Sequence, residues 1–426
     1  MINPRRIYTA LLWLLLPYIF FHLLWRARKQ PQYLQYIAER FGFYSVGTSK
    51  PVIWLHTVSV GETRAAASLI QRLQVAYPDH QLLLTHTTPT GRESSEQLYG
   101  DKVLRVYLPY DYPFAVRRFL RHFQPRVGVL LETEIWFNLI HYCQTAKVPL
   151  LLLNARLSAN SAKGYARFSK LTGNGLGQLS AVSAQSDEDA VRLRALGAHN
   201  VSVMGNLKYD IEPPAAMLES GRQLRILLGA TRPVFLAAST RAGEEALLLD
   251  ALNQIDVPAL LTVIVPRHPQ RFDEIAALLS RHGIRFQRRS ENHPIAADTR
   301  VVLGDSMGEM FAYYAACDIA FIGGSLLPFG GQNLIEACAV GKPVLIGLHT
   351  YNFTQASILA IEQGAAVRIQ DANGLAQTLQ HLLRHPEGLS QMGKAGLAFV
   401  HANRGATEQA LAQIYDALAA RRNVPA

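Results

Sequence analysis

The chain has 426 residues, 49% hydrophobic and 17% charged, which excludes a disordered or fibrous protein and leaves room for two or three domains. A formal net charge of +10 favours anionic partners. The chain has neither a dense Lys/Arg block with interleaved aromatics nor a nucleic-acid motif, so phosphorylated ligands or an acidic membrane face fit better than nucleic acid.

Along the chain, Ile7 to Trp25 comes first and carries no formally charged residue. As a helix it would measure about 28 Å, close to a bilayer core. Arg5 and Arg6 precede it, Arg26, Arg28 and Lys29 follow it, and Trp13, Tyr18 and Trp25 suit membrane interfaces. Pro17 predicts a kink. No small-residue cleavage site follows, which argues against a removable signal peptide. Residues 1–30 are therefore expected to anchor the chain in a membrane, by spanning it or embedding in it. The competing reading is a buried helix of the globular core. Basic flanks on both sides leave the orientation open.

Short apolar runs then alternate with helical patterns. Val52 to His56, Gln81 to His86, Val127 to Glu132, Pro149 to Ala155, Ala181 to Ala184 and Val201 to Met204 read as strands. Thr63 to Tyr77 reads as a helix with Ala66, Leu69, Ile70 and Leu73 on one face. The pattern breaks at Asp210 to Arg232, which holds Pro213-Pro214. It restarts with Val234 to Ser239, Leu260 to Val265, Arg300 to Leu303, Ile319 to Ile322, Pro343 to Ile346 and Ala366 to Ile369. Strands alternating with helices predict doubly wound parallel sheets. The expected plan is an anchor over 1–30, an α/β domain over 31–210, a linker over 211–232, a second α/β domain over 233–405 and a terminal amphipathic helix over 406–426. Open α/β domains carry their functional loops at the carboxyl ends of the strands, and two such domains facing each other would make a cleft.

The candidate chemistry sits at those strand ends. Gly323-Gly324 and Gly330-Gly331 lie between the strand Ile319 to Ile322 and a helix start at Leu334 to Val340. A glycine turn before a helix can hold a phosphate, and Glu336, three residues after Asn333, would suit a ribose. The alternative is a turn that needs glycine only for its backbone angles. Glu62 stands where the loop after Val52 to His56 becomes a helix. There it could act as a general base or merely favour the helix dipole. Glu132-Thr133-Glu134 and Asn154-Ala155-Arg156-Leu157-Ser158 end two further strands, and the first could hold a loop or a cation in place or form a helix N-cap region. The second could position an anionic group or cap a helix. Lys208, in Gly205-Asn206-Leu207-Lys208-Tyr209-Asp210, could stabilise a departing phosphate, and Arg267, in Pro266-Arg267-His268-Pro269, could contact one. Gly304-Asp305-Ser306-Met307-Gly308-Glu309-Met310 could cradle a base or ribose. Gly173-Asn174-Gly175-Leu176-Gly177 lacks the dinucleotide spacing and precedes a strand, so it is set aside. Cys143, Cys317 and Cys338 form no CxxC pair, which disfavours metal and disulfide readings.

Taken in order and spacing, His56-Thr57-Val58-Ser59-Val60-Gly61-Glu62-Thr63, Leu108-Pro109-Tyr110-Asp111, Glu132-Thr133-Glu134-Ile135-Trp136, Asn154 to Ser158, Gly205 to Asp210, Pro266 to Pro269, Gly304 to Glu309 and the glycine turn through Glu336 resemble the 3-deoxy-D-manno-octulosonic acid (Kdo) transferases of lipid A biosynthesis. The resemblance covers nearly the whole chain. It implies a GT-B fold of two Rossmann-like domains, acceptor in the first and donor in the second. It implies transfer of Kdo from CMP-Kdo to lipid IVA, with inversion, without metal or cofactor, at the cytoplasmic face of a bacterial inner membrane. It assigns the base to Glu62 and transition-state stabilisation to Glu132 and Lys208. It assigns CMP binding to Pro266, Arg267, Met307, Gly308, Glu309, Asn333, Leu334, Ile335 and Glu336. Another membrane-associated GT-B enzyme with a different nucleotide sugar and lipid is the competing reading. A non-catalytic nucleotide-sugar binder is a third. The chain departs from the family pattern at Phe137, at Arg241-Ala242 and at Phe329.

Overall fold

The computed structural model describes residues 3–257 and 259–422. They divide into two compact units. The first runs to Asp210 and includes the residues from Arg404 onward, and the second is Ile211–Asn403.

The first unit is built on seven strands, β1 (Val52–His56), β2 (Gln81–His86), β3 (Leu104–Tyr107), β4 (Val127–Leu131), β5 (Leu150–Ala155), β6 (Ala181–Ala184) and β7 (Val201–Val203). Their order is β3-β2-β1-β4-β5-β6-β7 and every pairing is parallel. The chain winds one way from β1 to β3 and the other way from β4 on. The switch lies between β1 and β4, where Leu55 pairs with Val129. Loops leaving the sheet there diverge and open a crevice. Both faces are covered, which is why β1, β4 and β5 are uninterrupted buried runs. Trp54 anchors one face. Its Nε1 donates to Thr85 Oγ1 at 2.8 Å, its ring meets Phe119 at 4.9 Å, and it presses on Gly128, where a Cβ would lie 2.6 Å from the indole. The other face receives Ala66, Leu69, Ile70 and Leu73, as their spacing predicts.

The second unit repeats the plan with β8 (Val234–Thr240), β9 (Leu261–Pro266), β10 (Phe286–Arg288), β11 (Val301–Leu303), β12 (Ile319–Ile322), β13 (Val344–Ile346) and β14 (Ala366–Arg368). The order is β10-β11-β9-β8-β12-β13-β14, again all parallel, with the switch between β8 and β12. Phe235 and Phe321 fill its core. Burying a side chain of this size contributes roughly 1.5–3 kcal/mol.

Several elements differ from expectation. β3 and β10 escape the apolar-run criterion because each is an edge strand with a polar residue, Arg105 and Gln287 respectively. The single helix expected over Thr63 to Tyr77 is two, Val60–Ala65 and Ala67–Ala76, parted at Ala66. The segment 211–232 is mostly helix, Ala215–Leu228, packed through Gly221 onto Ala312 and Ala315. The Pro pair only starts that helix. The terminal helix Ala406–Arg422 buries Ala410, Ile414 and Leu418 against the first unit. Asp210 fixes its start by accepting the Gly405 N–H at 2.7 Å and that of Thr407. The glycine run 173–177 lies in helix Ser169–Leu176 and its end, not in a phosphate loop.

Helix Pro4–Lys29 contains Pro17 and is long and apolar enough to cross a membrane by length and composition. Its first three turns nevertheless hydrogen-bond to the first unit. Arg5 donates to Asn138 at 2.9 Å, Thr9 to Asn138 at 3.0 Å and Tyr8 to the buried Asp111 at 2.9 Å. Tyr112 donates to the Leu12 carbonyl at 2.7 Å. Phe137 is part of this seat. It meets Tyr8 edge-on at 5.2 Å and lies over Gly175, where a Cβ would be 2.7 Å from its ring. Further on, Leu14, Tyr18, Phe21 and Trp25 are exposed.

Candidate active site

In the first unit the candidate side chains Glu62 and Glu132 lie at the carboxyl ends of β1 and β4, on either side of the winding switch. Ser59 is the N-cap of helix Val60–Ala65 and accepts the Glu62 N–H at 3.3 Å. In return Glu62 Oε1 accepts the Ser59 hydroxyl at 3.0 Å, and its Oε2 accepts the Val58 N–H at 2.7 Å. This is a capping-box exchange displaced by one residue on the backbone side. The two readings of Glu62 are thus not exclusive, because the cap is what aims the carboxylate. Only 9% of Glu62 is exposed. Burial pushes its pKa up to about 7, and the Glu132 charge pushes the same way, against the Val58 and Ser59 hydrogen bonds. A carboxylate near neutrality is suited to taking a proton at physiological pH.

Glu132 follows β4 with φ 60°, a left-handed backbone that a non-glycine residue adopts only when its surroundings impose it. Its N–H is held by the Leu153 carbonyl at 3.1 Å, and its Oε1 lies 3.4 Å from Lys208 Nζ. Lys208 is itself positioned through two asparagines. Asn154, at φ 54°, accepts the Leu207 N–H at 3.1 Å, and Asn206 accepts the Lys208 N–H at 3.0 Å. Asn154 thus fixes the turn that carries Lys208, while Ser158, in the same stretch, caps the helix that follows, one of the two roles expected of it. Glu134 accepts from Trp136 Nε1 at 2.7 Å and lies 3.7 Å from His56 Nε2. His56 and His86 form a floor beneath the loop. His56 Nδ1 lies 3.0 Å from the Thr85 carbonyl and His86 Nδ1 2.8 Å from that of Thr57. Burial pushes His86 down to about 3, so it is neutral. Sequence reasoning passed over both histidines because each reads as the last residue of an apolar strand.

In the second unit Pro266 ends β9 and Arg267 follows. The Arg267 N–H donates to the Thr240 carbonyl at 3.0 Å, and its Nε to Gln332 Oε1 at 3.3 Å. Burial, with Arg241, Arg267 and Arg271 nearby, holds His268 below its ordinary range. Met307 is exposed and Gly308 has φ 82°. Glu309 accepts from Ser306 at 2.5 Å and from Arg289 at 3.3 Å. Asn333 donates to Glu336 Oε1 at 3.1 Å and accepts the Ile335 N–H, so the two share one face as expected. Leu334 and Ile335 are buried.

Part of the glycine turn is held by the protein's own groups. Glu244, fully buried, accepts the N–H groups of Gly324 at 2.6 Å, Leu326 at 3.0 Å and Arg241 at 2.9 Å. Gly331 and Gln332 donate to the carbonyls of Gly324 and Gly323. The helix that follows, Ile335–Ala339, is a single turn and contributes little dipole. Gly324, Gly330 and Gly331 have φ of 71°, 91° and 75°, so backbone geometry alone requires glycine there. Glu244 was missed because a buried carboxylate pairing with backbone N–H groups eighty residues downstream has no local signature.

Comparison with known proteins gives a consistent result. Residues 35–211 match the family model described as 3-deoxy-D-manno-octulosonic-acid transferase (kdotransferase). The chain is similar to 3-deoxy-D-manno-octulosonic acid transferases of Bordetella pertussis (41% identical, over 97% of this chain and 99% of that one) and Haemophilus influenzae (38%, over 96% and 97%). In structure it resembles a glycosyltransferase from Rickettsia africae, at 15% identity and a TM-score of 0.58, over 87% of this chain and 99% of that one. It also resembles MurG of Acinetobacter baumannii, at 15% identity and a TM-score of 0.55, over 86% and 99%. These two likenesses concern the fold, which is GT-B.

Proposed function

Because the chain belongs to the 3-deoxy-D-manno-octulosonic acid transferase family and is a glycosyltransferase of lipopolysaccharide biosynthesis, we propose that it moves Kdo from CMP-Kdo onto a hydroxyl of lipid IVA, with inversion and without a metal or cofactor. The observation that carries the reading is the buried Glu62 carboxylate, poised near neutral pH at the end of β1 with the Glu132–Lys208 pair across the winding switch.

In this scheme Glu62 takes the proton of the acceptor hydroxyl as that oxygen bonds to the anomeric carbon of Kdo. The bond from that carbon to the CMP phosphate breaks, and the electron pair leaves with CMP. Positive charge develops at the sugar and negative charge on the phosphate. Glu132 suits the first and Lys208 the second. Arg267, with the stretches Pro266, Met307 to Glu309 and Asn333 to Glu336, binds the CMP portion in the second unit. A lipid acceptor accounts for an apolar helix with an exposed aromatic half, and a cytoplasmic nucleotide sugar accounts for placing the catalytic units on the cytoplasmic face of an inner membrane.

The test is incubation of the full chain in detergent with CMP-Kdo and lipid IVA, with and without chelator, read by mass spectrometry. Lipid that gains Kdo mass with wild type and not with Glu62→Gln is the expected result. A folded wild type that leaves the lipid unchanged would overturn the donor–acceptor assignment, and competition by UDP in place of CMP would point to the other GT-B reading.

A further inference from the structure

Two of the three departures from the family pattern touch each other. The Arg241 guanidinium carbon lies 4.9 Å from the centroid of the Phe329 ring. Arg241 is on the loop after β8 and Phe329 on the loop after β12, the two strands that flank the winding switch of the second unit. The crevice of such a sheet is where ligands bind. Both loops are held from below by Glu244, which takes the N–H of Arg241 and those of Gly324 and Leu326. A Cβ on Gly324 would meet Gln332 Nε2 at 3.2 Å, Arg241 Cγ at 3.3 Å and Phe329 Cβ at 3.5 Å. The stem of Arg241, the ring of Phe329 and the amide of Gln332 therefore converge over one glycine, and Gln332 also accepts from Arg267.

The cations at this edge are differently committed. Arg271 is spent on Glu245, at 2.7 and 3.0 Å, and on Glu274. Arg267 bonds to Gln332. Arg241 forms no ion pair with a carboxylate among the described residues and is half-buried, with one face against an aromatic ring. Stacking leaves the edge of a guanidinium, with its forked N–H groups, available to a planar anion. The proposed donor carries two anionic groups on one carbon. In a 2-ulosonic acid the carboxylate is bonded to the anomeric carbon, which in the nucleotide sugar also bears the phosphate. A phosphate taken by Arg267 leaves the carboxylate within a few bonds of it, for the next cation along the crevice.

We propose that Arg241, steadied by Phe329, binds the carboxylate of the donor sugar and so selects an acid sugar over a neutral one. This rests on the CMP-Kdo reading given above. The test compares wild type, Arg241→Ala and Arg241→Lys for KM toward CMP-Kdo and for inhibition by CMP, which has the phosphate and lacks the sugar acid. Arg241→Ala should raise the KM for CMP-Kdo roughly tenfold or more, while the CMP inhibition constant stays within about twofold. Arg241→Lys should recover part of the loss, because an ammonium supplies charge without the fork. Folding is not in question, since Glu244 holds Arg241 through its backbone N–H. Phe329→Leu should raise the same KM by a smaller factor. Equal weakening of CMP and CMP-Kdo would place Arg241 on the phosphate and overturn the assignment, as would no change in either. A wild type that does not use CMP-Kdo would overturn the donor reading itself.

Discussion

Lys208 Nζ lies 3.4 Å from Glu132 Oε1, across 76 residues of sequence, and both side chains keep about a quarter of their surface exposed. A pair that open contributes at most about 1 kcal/mol to stability. Its cost in strained backbone at Glu132 is therefore better understood as positioning than as stabilisation. Lys208→Met is expected to lower kcat by roughly 10²–10³ with a melting temperature close to wild type. A large fall in melting temperature with unchanged kcat would assign the pair to folding.

Burial is the main cause of the raised Glu62 pKa, and Glu132 adds to it. Its charge pushes the Glu62 carboxyl upward, so Glu132→Gln should move the acid limb of the kcat/KM profile to lower pH. An acid limb that stays in place, or moves up, would show that some other group controls it.

Glu62 should trade stability for activity. Its folded pKa, about 7, lies above the value of a free glutamate, so the native state holds the proton more tightly than the unfolded chain. The associated stability is present below the unfolded pKa, is lost as pH rises through about 7, and is gone above that, a difference on the order of 3 kcal/mol. Glu62→Gln is expected to lower kcat by roughly 10²–10⁴. It should raise the melting temperature relative to wild type at pH 8 and not at pH 4. Denaturation scans at the two pH values check the sign.

Asn154 serves two purposes that can be separated. Its left-handed backbone suits Asn or Gly, while its amide satisfies the buried Leu207 N–H. Asn154→Gly keeps the first and loses the second. Leaving that N–H unpaired should cost about 1–3 kcal/mol. Because the Leu207 to Tyr209 turn carries Lys208, kcat should fall more than KM changes. Denaturant midpoints and steady-state kinetics on the same variant read both.

The apolar helix is seated as well as exposed. Removing residues 3–29 would uncover Asn138 and the buried Asp111, whose carboxyl burial pushes up to about 7. The truncated protein should thus lose stability as well as membrane association. Tyr8→Phe, which leaves the apolar surface intact, should cost about 1 kcal/mol and leave sedimentation with vesicles unchanged. A truncation with wild-type melting behaviour would show that the helix is a detachable tether.

The order of strands along the chain, the two α/β halves and the placing of Glu62, Glu132, Lys208 and Arg267 at strand ends were all legible in sequence. Each depends on local pattern: β1 and β12 are apolar runs with the period of a buried strand, and a loop residue after such a run has only one sheet edge to occupy. The family resemblance supplied the substrate expectation, which no periodicity contains. Tertiary structure decided what pairs with what. Nothing near Gly323 in sequence reveals that Glu244 takes the Gly324 and Leu326 N–H groups of that turn. Nothing near Lys208 reveals that Asn154 fixes its turn, and nothing near Arg241 reveals Phe329 beneath it. These are contacts between loops brought together by strand order, and their energies depend on distances that local sequence does not encode. The edge strands β3 and β10 and the helix Ala215–Leu228 were lost for other reasons. The two strands are short and carry polar residues, so pairing with a neighbour makes them regular, whereas the helix is rich in good helix formers and was hidden by the break read at Pro213-Pro214.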